Sequence, residues 1–386
     1  MILSSELKRL ALDPAHYPLT WKELQQGVQD SVAPGFVVGV WEKKNSDSIH
    51  IGALGQRRTI PTPEAMHVDT IFDLASVSKV LATTSLCGLL VDRGWLTWDT
   101  PVKKIFPFYS WPNIQVRHLL SHTAGLPNWR PLWEQLWKRF EPEPIWKVSV
   151  ADRQKGMRDL VFAVAPEAEV GKKVNYSDLT FLTLGFLMEE ITQMPLDQTV
   201  EKFLFQPMGL SNSSYRHVTS PAFEDRWDDA AATEDCPDRG GVLQGQVHDD
   251  NCWAMGGYAG HTGVFTNVVD VLHFSRALFT ERFLSAETLK ALWTRASEPP
   301  ECERTLGWDT PSGSTPSSGS LFSPRSVGHL GFTGTSLWID LDAELAVALL
   351  SNRVHPSREN IKIRDFRPRF HDAIRRDLAN RDHSNR

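Results

Sequence analysis

Cysteine is scarce in this chain, with four in 386 residues, at Cys87, Cys236, Cys252 and Cys302. Their spacing fits neither a disulfide framework nor a paired-cysteine zinc site, so neither staples nor structural metal organise the fold. Cys87 falls in an apolar helical pattern and reads as a buried thiol. An excess of positive charge is also lacking. Forty-one Lys and Arg face 47 Asp and Glu, for a formal net charge of −6, which leaves no basic footprint for nucleic acid. There is no Walker loop and no dinucleotide fingerprint, so no nucleotide cofactor is indicated. The opening "MILSSELKRLALDPAHYP" puts charges where a signal peptide needs an apolar run. The longest apolar stretch, near residues 80 to 91, is too short for a bilayer span. These absences point to a reducing, cytoplasmic setting without a membrane span, or a periplasmic one if a leader has been removed.

What is present is ordinary globular composition, 41% hydrophobic and 23% charged, with ample length for a large core. "FVVGVWEK" and "SIHIGALG" are two apolar runs around a polar turn, a hairpin signal, and "TSLWIDL" and "AELAVALLSN" form a second such pair. Helices are expected near residues 21 to 30 and 357 to 378. The fold class expected is α/β in the α+β sense, an antiparallel sheet built from both chain ends and flanked by helices. On this reading 1 to 386 is one domain. Residues 1 to 75 and 300 to 386 make its sheet-containing part, and 76 to 299 a mostly helical part. Residues 211 to 260 read as a long acid-rich loop, functional or mobile, and 309 to 326 as a flexible Ser/Gly/Pro loop.

Three places carry chemistry. Ser76 and Lys79 in "FDLASVSKV" stand one helical turn apart, on one face. A serine hydroxyl is a weak nucleophile until a neighbour takes its proton, and a desolvated lysine with a lowered pKa can do so. The plain alternative makes Ser76 a cap and lets Lys79 snorkel to solvent. In "NYSDLTF", Tyr176 precedes a helix that Ser177 or Asp178 can cap, where its hydroxyl can relay protons in a cleft or simply be satisfied. In "VGHLGFTGTSLWID", His329 and Gly331 lie on a strand. The N–H groups of Ser76 and Phe332 there can form an oxyanion hole, while a structural histidine and a bulge are the bland alternatives.

The order and spacing of "SVSK", "YSD" and "HLG" resemble the three motifs of the serine β-lactamase and penicillin-binding protein superfamily, in its class C-like branch. "LLSHTAGLP", "LFQPMGLSNSSY" and "GHTGVFTNVVDVLHFSRAL" are similar to further segments of that branch, and the likeness runs over roughly residues 35 to 375. The resemblance implies a β-lactamase-like fold and a serine hydrolase without metal or organic cofactor. Ser76 is then the acylated nucleophile, Lys79 and Tyr176 share the base role, and Ser76 and Phe332 supply the oxyanion donors. His329 takes a strand position facing Tyr176 and any substrate carboxylate.

Two departures stand out. Asp178 replaces a usual asparagine and adds negative charge beside Lys79, or serves as cap and lysine anchor. His329 replaces the lysine of true β-lactamases and, mostly neutral at pH 7, holds a penicillin carboxylate less well. The histidine tilts the expectation toward a small-molecule or peptide-like ester or amide substrate (esterase, D-amino-acid peptidase or carboxypeptidase chemistry). The rivals are a true β-lactamase and a catalytically silent homologue that binds a ligand or partner. Oligomeric state is not legible.

Weaker signals complete the reading. Trp129, Leu132, Trp133, Leu136, Trp137 and Phe140 form a helical stripe, either packed on the core or walling the cleft. His118 and His122 have metal-ligand spacing but lack a partner glutamate and third ligand, so a structural pair is expected and no metal. His261, close to Gly260 and Gly263 at the cleft rim, is placed to touch substrate.

Overall fold

The computed structural model describes residues 7–220, 226–279 and 283–384. Its main sheet contains β1 (Lys8–Ala11), β2 (Gly35–Glu42), β3 (Ser48–Arg58), β4 (Val327–Leu330), β5 (Ser336–Asp340) and β6 (Leu345–Ser351). The spatial order is β1-β3-β2-β6-β5-β4, with Glu64–Ala65 adding a short strand to β3. Both expected pairs form, and they join through β2 and β6, where Val38 lies opposite Leu349. The two ends of the chain thus meet at the sheet's centre. One expectation needs correction. Edge strand β1 runs parallel to β3, with Leu10 opposite His50. Between β1 and its neighbour the chain passes through a helix, and a crossover of that kind returns a strand in the same direction.

The helices that matter for the site are α1 (Pro18–Gln29), α2 (Ser85–Asp92), α3 (Asp178–Thr192), α4 (Val268–Phe279) and α5 (Ile363–Ser384). Phe36, Val38, Val40, Val347 and Leu349 point toward α1 and α5, meeting Leu24, Phe366 and Phe370. Val37, Trp41, Leu337, Ile339 and Ala348 point the other way, into the larger core. Each such side chain contributes roughly 1.5–3 kcal/mol when fully buried. Both faces are covered, so β2 is buried along its whole length and reads as a continuous apolar run. α4 lies close on β2, since a Cβ on Gly39 would sit 2.5 Å from Val268.

Residues 75 to 92 are one helical run, but not a regular α-helix. A 3-10 turn, Ala75–Val77, passes through a wider π-helical stretch, Lys79–Thr84, into α2. By length and composition alone Ala75–Asp92 is long and apolar enough for a membrane span, as the core helix of a globular fold also can be. In the fold, 78% of it is buried. Irregular turns of this type concentrate at functional sites.

The segment from 211 to 260 is not a bare loop. It contributes Ser214–Tyr215 to a small sheet, the hairpin Ala232–Cys236 with Gly241–Gln244, and the helix Asp250–Met255. Part of it, residues 221–225, lies outside the described residues. Its acids are engaged over long range: Glu234 pairs with His248 and Arg358, and Asp250 also reaches Arg358. The last helix begins at Ile363 rather than 357, because the preceding backbone wraps around Arg353, which donates to the carbonyls of Arg358 and Asn360. The tryptophan stripe also starts later than expected. Its helix is Leu132–Phe140, capped by Pro131, with Leu132 and Leu136 buried, and Trp129 lies ahead of it.

Candidate active site

Ser76 follows Ala75, whose φ of 46° is left-handed and uncommon for a residue with a side chain. The turn is pinned by Asp73, which accepts the Ala75 N–H at 2.8 Å. From the other side, Thr333 Oγ1 donates to the Asp73 carbonyl at 2.7 Å and Thr335 Oγ1 to the Leu74 carbonyl at 2.8 Å. The turn after β4 is therefore fastened directly to the turn carrying Ser76. Gly331 sits in that contact, since a Cβ there would lie 2.5 Å from the Leu74 carbonyl oxygen.

Lys79 is fully buried and does not snorkel. Its Nζ donates to Ser76 Oγ at 2.8 Å, to Asp178 Oδ1 at 2.6 Å and to the His261 carbonyl at 2.9 Å. An ammonium has three protons, and all three are committed. Burial works to lower the Lys79 pKa, but the charges of Asp178 and Tyr176 outweigh it and the net direction is upward. Asp178 is the first residue of α3. Ser177 holds the cap position, so the Asp178 carboxylate serves as lysine anchor rather than cap.

Tyr176 is half-buried between two cations. Lys79 Nζ lies 5.1 Å from its ring centre and the Arg304 guanidinium 5.3 Å. Burial raises the phenol's pKa, and although Lys79 and a hydrogen bond with Ser76 pull it down, burial and the Asp178 charge prevail and the net direction is upward. The His122 ring packs 4.6 Å away, centre to centre, and His329 6.0 Å away. His122 is buried at a φ of 58° and accepts the Ser177 N–H at 3.0 Å, so it props the start of α3. His118 instead binds the Gln115 N–H at 3.1 Å. The two histidines thus have separate structural partners.

His329 donates from Nδ1 to the Leu330 carbonyl at 3.0 Å, which leaves Nε2 as a buried lone pair without a partner among the described residues. Burial pushes its pKa down to about 4. A neutral ring holds a substrate carboxylate less well than a cation does. This position offers a hydrogen-bond acceptor instead.

A cleft of about 650 Å³ gathers Ser76, Tyr176, Asp178, His329, Gly331 and Phe332. Trp129, 39% exposed, and His261 also line it. His261 bonds Asp249 through Nε2 at 2.9 Å, and it is its backbone that holds Lys79. Phe332 is half-exposed and lies between His248 and Arg353. Sequence reasoning missed Arg304, Arg353 and Arg367. Nothing in "ECERTLGWDT" or in the last helix announces a cation that folds back on Tyr176 or on the turn after β4.

Known proteins share the sequence family and the fold. Residues 22–367 match the family model Beta-lactamase. A provisionally named D-alanyl-D-alanine carboxypeptidase of Escherichia coli (strain K12) is 30% identical over 316 residues, covering 74% of this chain and 70% of that protein. A protein of the same name from Salmonella agona (strain SL483) is 29% identical over 327 residues, covering 76% and 72%. Among solved structures, EstCE1, a hydrolase with promiscuous acyltransferase activity, superposes with a TM-score of 0.71 at 20% identity, over 93% of this chain and 98% of that one. Unliganded simvastatin synthase (LovD) from Aspergillus terreus, as its selenomethionyl derivative, gives 0.70 at 19% identity, over 94% and 98%.

Proposed function

Since the chain belongs to the β-lactamase family and is a serine hydrolase, we propose that it works through an acyl-Ser76 intermediate on an ester or amide, of small-molecule or peptide-like class. The observation that carries this reading is the chain of contacts from Ser76 Oγ through Lys79 Nζ to Asp178, at the head of a cleft.

The chemistry follows from the proton inventory. Lys79 orients Ser76 Oγ and pulls the Tyr176 pKa down against the rise caused by burial, and the Arg304 guanidinium lies over the same ring. The Tyr176 phenolate takes the Ser76 proton as Oγ attacks the substrate carbonyl. The N–H groups of Ser76 and Phe332 face the oxyanion that forms. Collapse expels the alcohol or amine, which leaves with the proton from Tyr176. Water then gives its proton to Tyr176 and attacks the acyl group, and Ser76 Oγ recovers that proton on release of the acid.

His329 decides between substrates. Its free acceptor favours a donor group near the scissile bond over a penicillin carboxylate, which supports esterase, amidase or D-peptidase chemistry over β-lactam turnover. The names of the Escherichia coli and Salmonella relatives support a peptide ending in D-amino acids as one such substrate. Silent binding has one observation in its favour, the tie between Lys79 and Asp178. Tyr176 facing Lys79 argues against it. The free thiols of Cys87, Cys252 and Cys302, all buried, support a reducing compartment.

The test is the intact mass of wild type and Ser76→Ala after a fluorophosphonate and, separately, a penicillin. The expected result is an adduct on wild type only, formed readily with the fluorophosphonate. No adduct with either reagent moves the protein to the silent binders.

A further inference from the structure

Arg367 is buried on α5, behind the turn that follows β4. It has no carboxylate partner among the described residues, and its Nε is buried without an acceptor. A cation in that position is costly unless something uses it. Its Nη2 donates to the Gly331 carbonyl at 3.0 Å and to the Thr335 carbonyl at 2.8 Å. Beside it, Arg353 Nε donates to the Phe332 carbonyl at 2.7 Å.

The Gly331 carbonyl and the Phe332 N–H belong to one planar peptide, so they point in opposite directions. Fixing the carbonyl backward fixes the N–H forward. The Phe332 N–H has no backbone partner among the described residues, and Phe332 and Gly331 both line the cleft with Ser76. A charge-assisted bond to the carbonyl also draws electron density toward oxygen, which makes the N–H on the same peptide a stronger donor.

We propose that Arg367, with Arg353 beside it, is a positioning residue for the oxyanion hole, aiming and polarising the Gly331–Phe332 peptide at the charge that develops on the substrate carbonyl. The proposal rests on Ser76 being the acylated nucleophile. Burial and the neighbouring Arg353 push the Arg367 pKa down to about 9, which still leaves it charged at neutral pH.

The experiment compares wild type, Arg367→Met and Arg367→Lys on p-nitrophenyl acetate. Rates are normalised to the Ser76 that a fluorophosphonate titrates. Binding of phenylboronic acid, which forms a tetrahedral adduct on an activated serine, is measured alongside. Arg367→Met is expected to lower kcat by about tenfold to a hundredfold, a part of what outright loss of an oxyanion donor costs. Phenylboronate affinity should fall by the same factor while KM stays within about twofold of wild type, the split expected for an interaction made only in the transition state. Arg367→Lys, which keeps the charge, should recover most of the loss. A purely structural arginine would lower the thermal midpoint but leave kcat per titrated Ser76 and the boronate affinity intact, and that result overturns the proposal. If Arg367→Met does not fold, Arg367→Gln, which keeps a donor but not the charge, decides: it should lower kcat per titrated Ser76, and wild-type kcat overturns the idea. A wild type that takes no fluorophosphonate defeats the reading of Ser76 itself, a failure distinct from that of Arg367.

Discussion

The Lys79 ammonium, closed off from solvent, lies 2.6 Å from the Asp178 carboxylate. Asp178 raises the pKa of Lys79 and also that of Tyr176. Whichever of the two accepts the Ser76 proton, it must first be deprotonated, so kcat/KM should climb with pH toward the alkaline side. Asp178→Asn removes the negative charge and lowers both pKa values. The rise in kcat/KM should then move to lower pH, by about one pH unit or more. A pH–rate profile identical to wild type would remove Asp178 from control of the base.

Ser76→Ala should abolish turnover and covalent labelling while the thermal midpoint stays nearly unchanged, because only a half-buried hydroxyl is lost. Residual activity near wild type removes Ser76 as nucleophile. Lys79→Ala should behave differently. It should slow acylation by several orders of magnitude, and it also breaks a buried ion pair, a class of change that costs about 3–5 kcal/mol. A stopped-flow acylation assay and a melting curve on the same sample separate the two effects.

His329→Lys should improve recognition of penicillin-like carboxylates, since it places a cation where the native side chain presents a neutral acceptor. The measurement is the rate of penicillin acylation against that of a neutral ester. An unchanged ratio would mean that position 329 does not face the substrate.

Acid should destabilise the protein before its carboxylates titrate. His122, His329 and His371 are buried with depressed pKa values, the last two at about 4. The unfolded chain protonates histidine at about pH 6.5. Their contribution to stability is therefore complete above that pH and drains away as pH falls toward the folded-state values. Each ring loses about 1.4 kcal/mol for every pH unit it stays neutral in the folded chain while protonated in the unfolded one. Glu189, raised to about 7 by burial, works in the opposite sense and offsets part of this. Melting curves across mildly acidic pH, from neutral down to the carboxylate range, should show the decline, and His371→Asn, remote from the cleft, should flatten it. A midpoint constant over that range contradicts the assignment of neutral buried rings.

Gly331→Ala should be nearly inactive although the change is one methyl group. The new Cβ would lie 2.0 Å from Thr335 Oγ1 and 2.5 Å from the Leu74 carbonyl oxygen. Something must shift, and what shifts is the join between the turn after β4 and the turn of Ser76. Full activity with a normal melting curve would show that the join tolerates movement.

Much of this arrangement is legible in the linear sequence, for identifiable reasons. Ser76 and Lys79 are near neighbours, Tyr176 abuts a helix start, and His329 sits in a short apolar run, so local pattern suffices to find them. The two strand pairs are equally local. What pattern cannot show is partnership over distance. The acids of 211 to 260 look like a solvated loop until Glu234 meets Arg358. The helix that opens at Ser76 looks regular until its π-helical stretch is drawn. Arg304 and Arg367 act through contacts with residues from other parts of the chain. His329 shows a further limit, because its role depends on which ring nitrogen bonds the Leu330 carbonyl.

The pairing of β2 with β6 sets an order of events during synthesis. Val38 leaves the ribosome early and must wait for Leu349 before the sheet can close. Until then the residues from 76 to 178 can form helices, but the turn after β4 that braces Ser76 does not yet exist. Pairing so distant in sequence is slow and leaves strand edges uncovered meanwhile. The same delay keeps the nucleophile idle: a chain stalled before the turn after β4 carries Ser76 and Lys79 without the surface that completes their site.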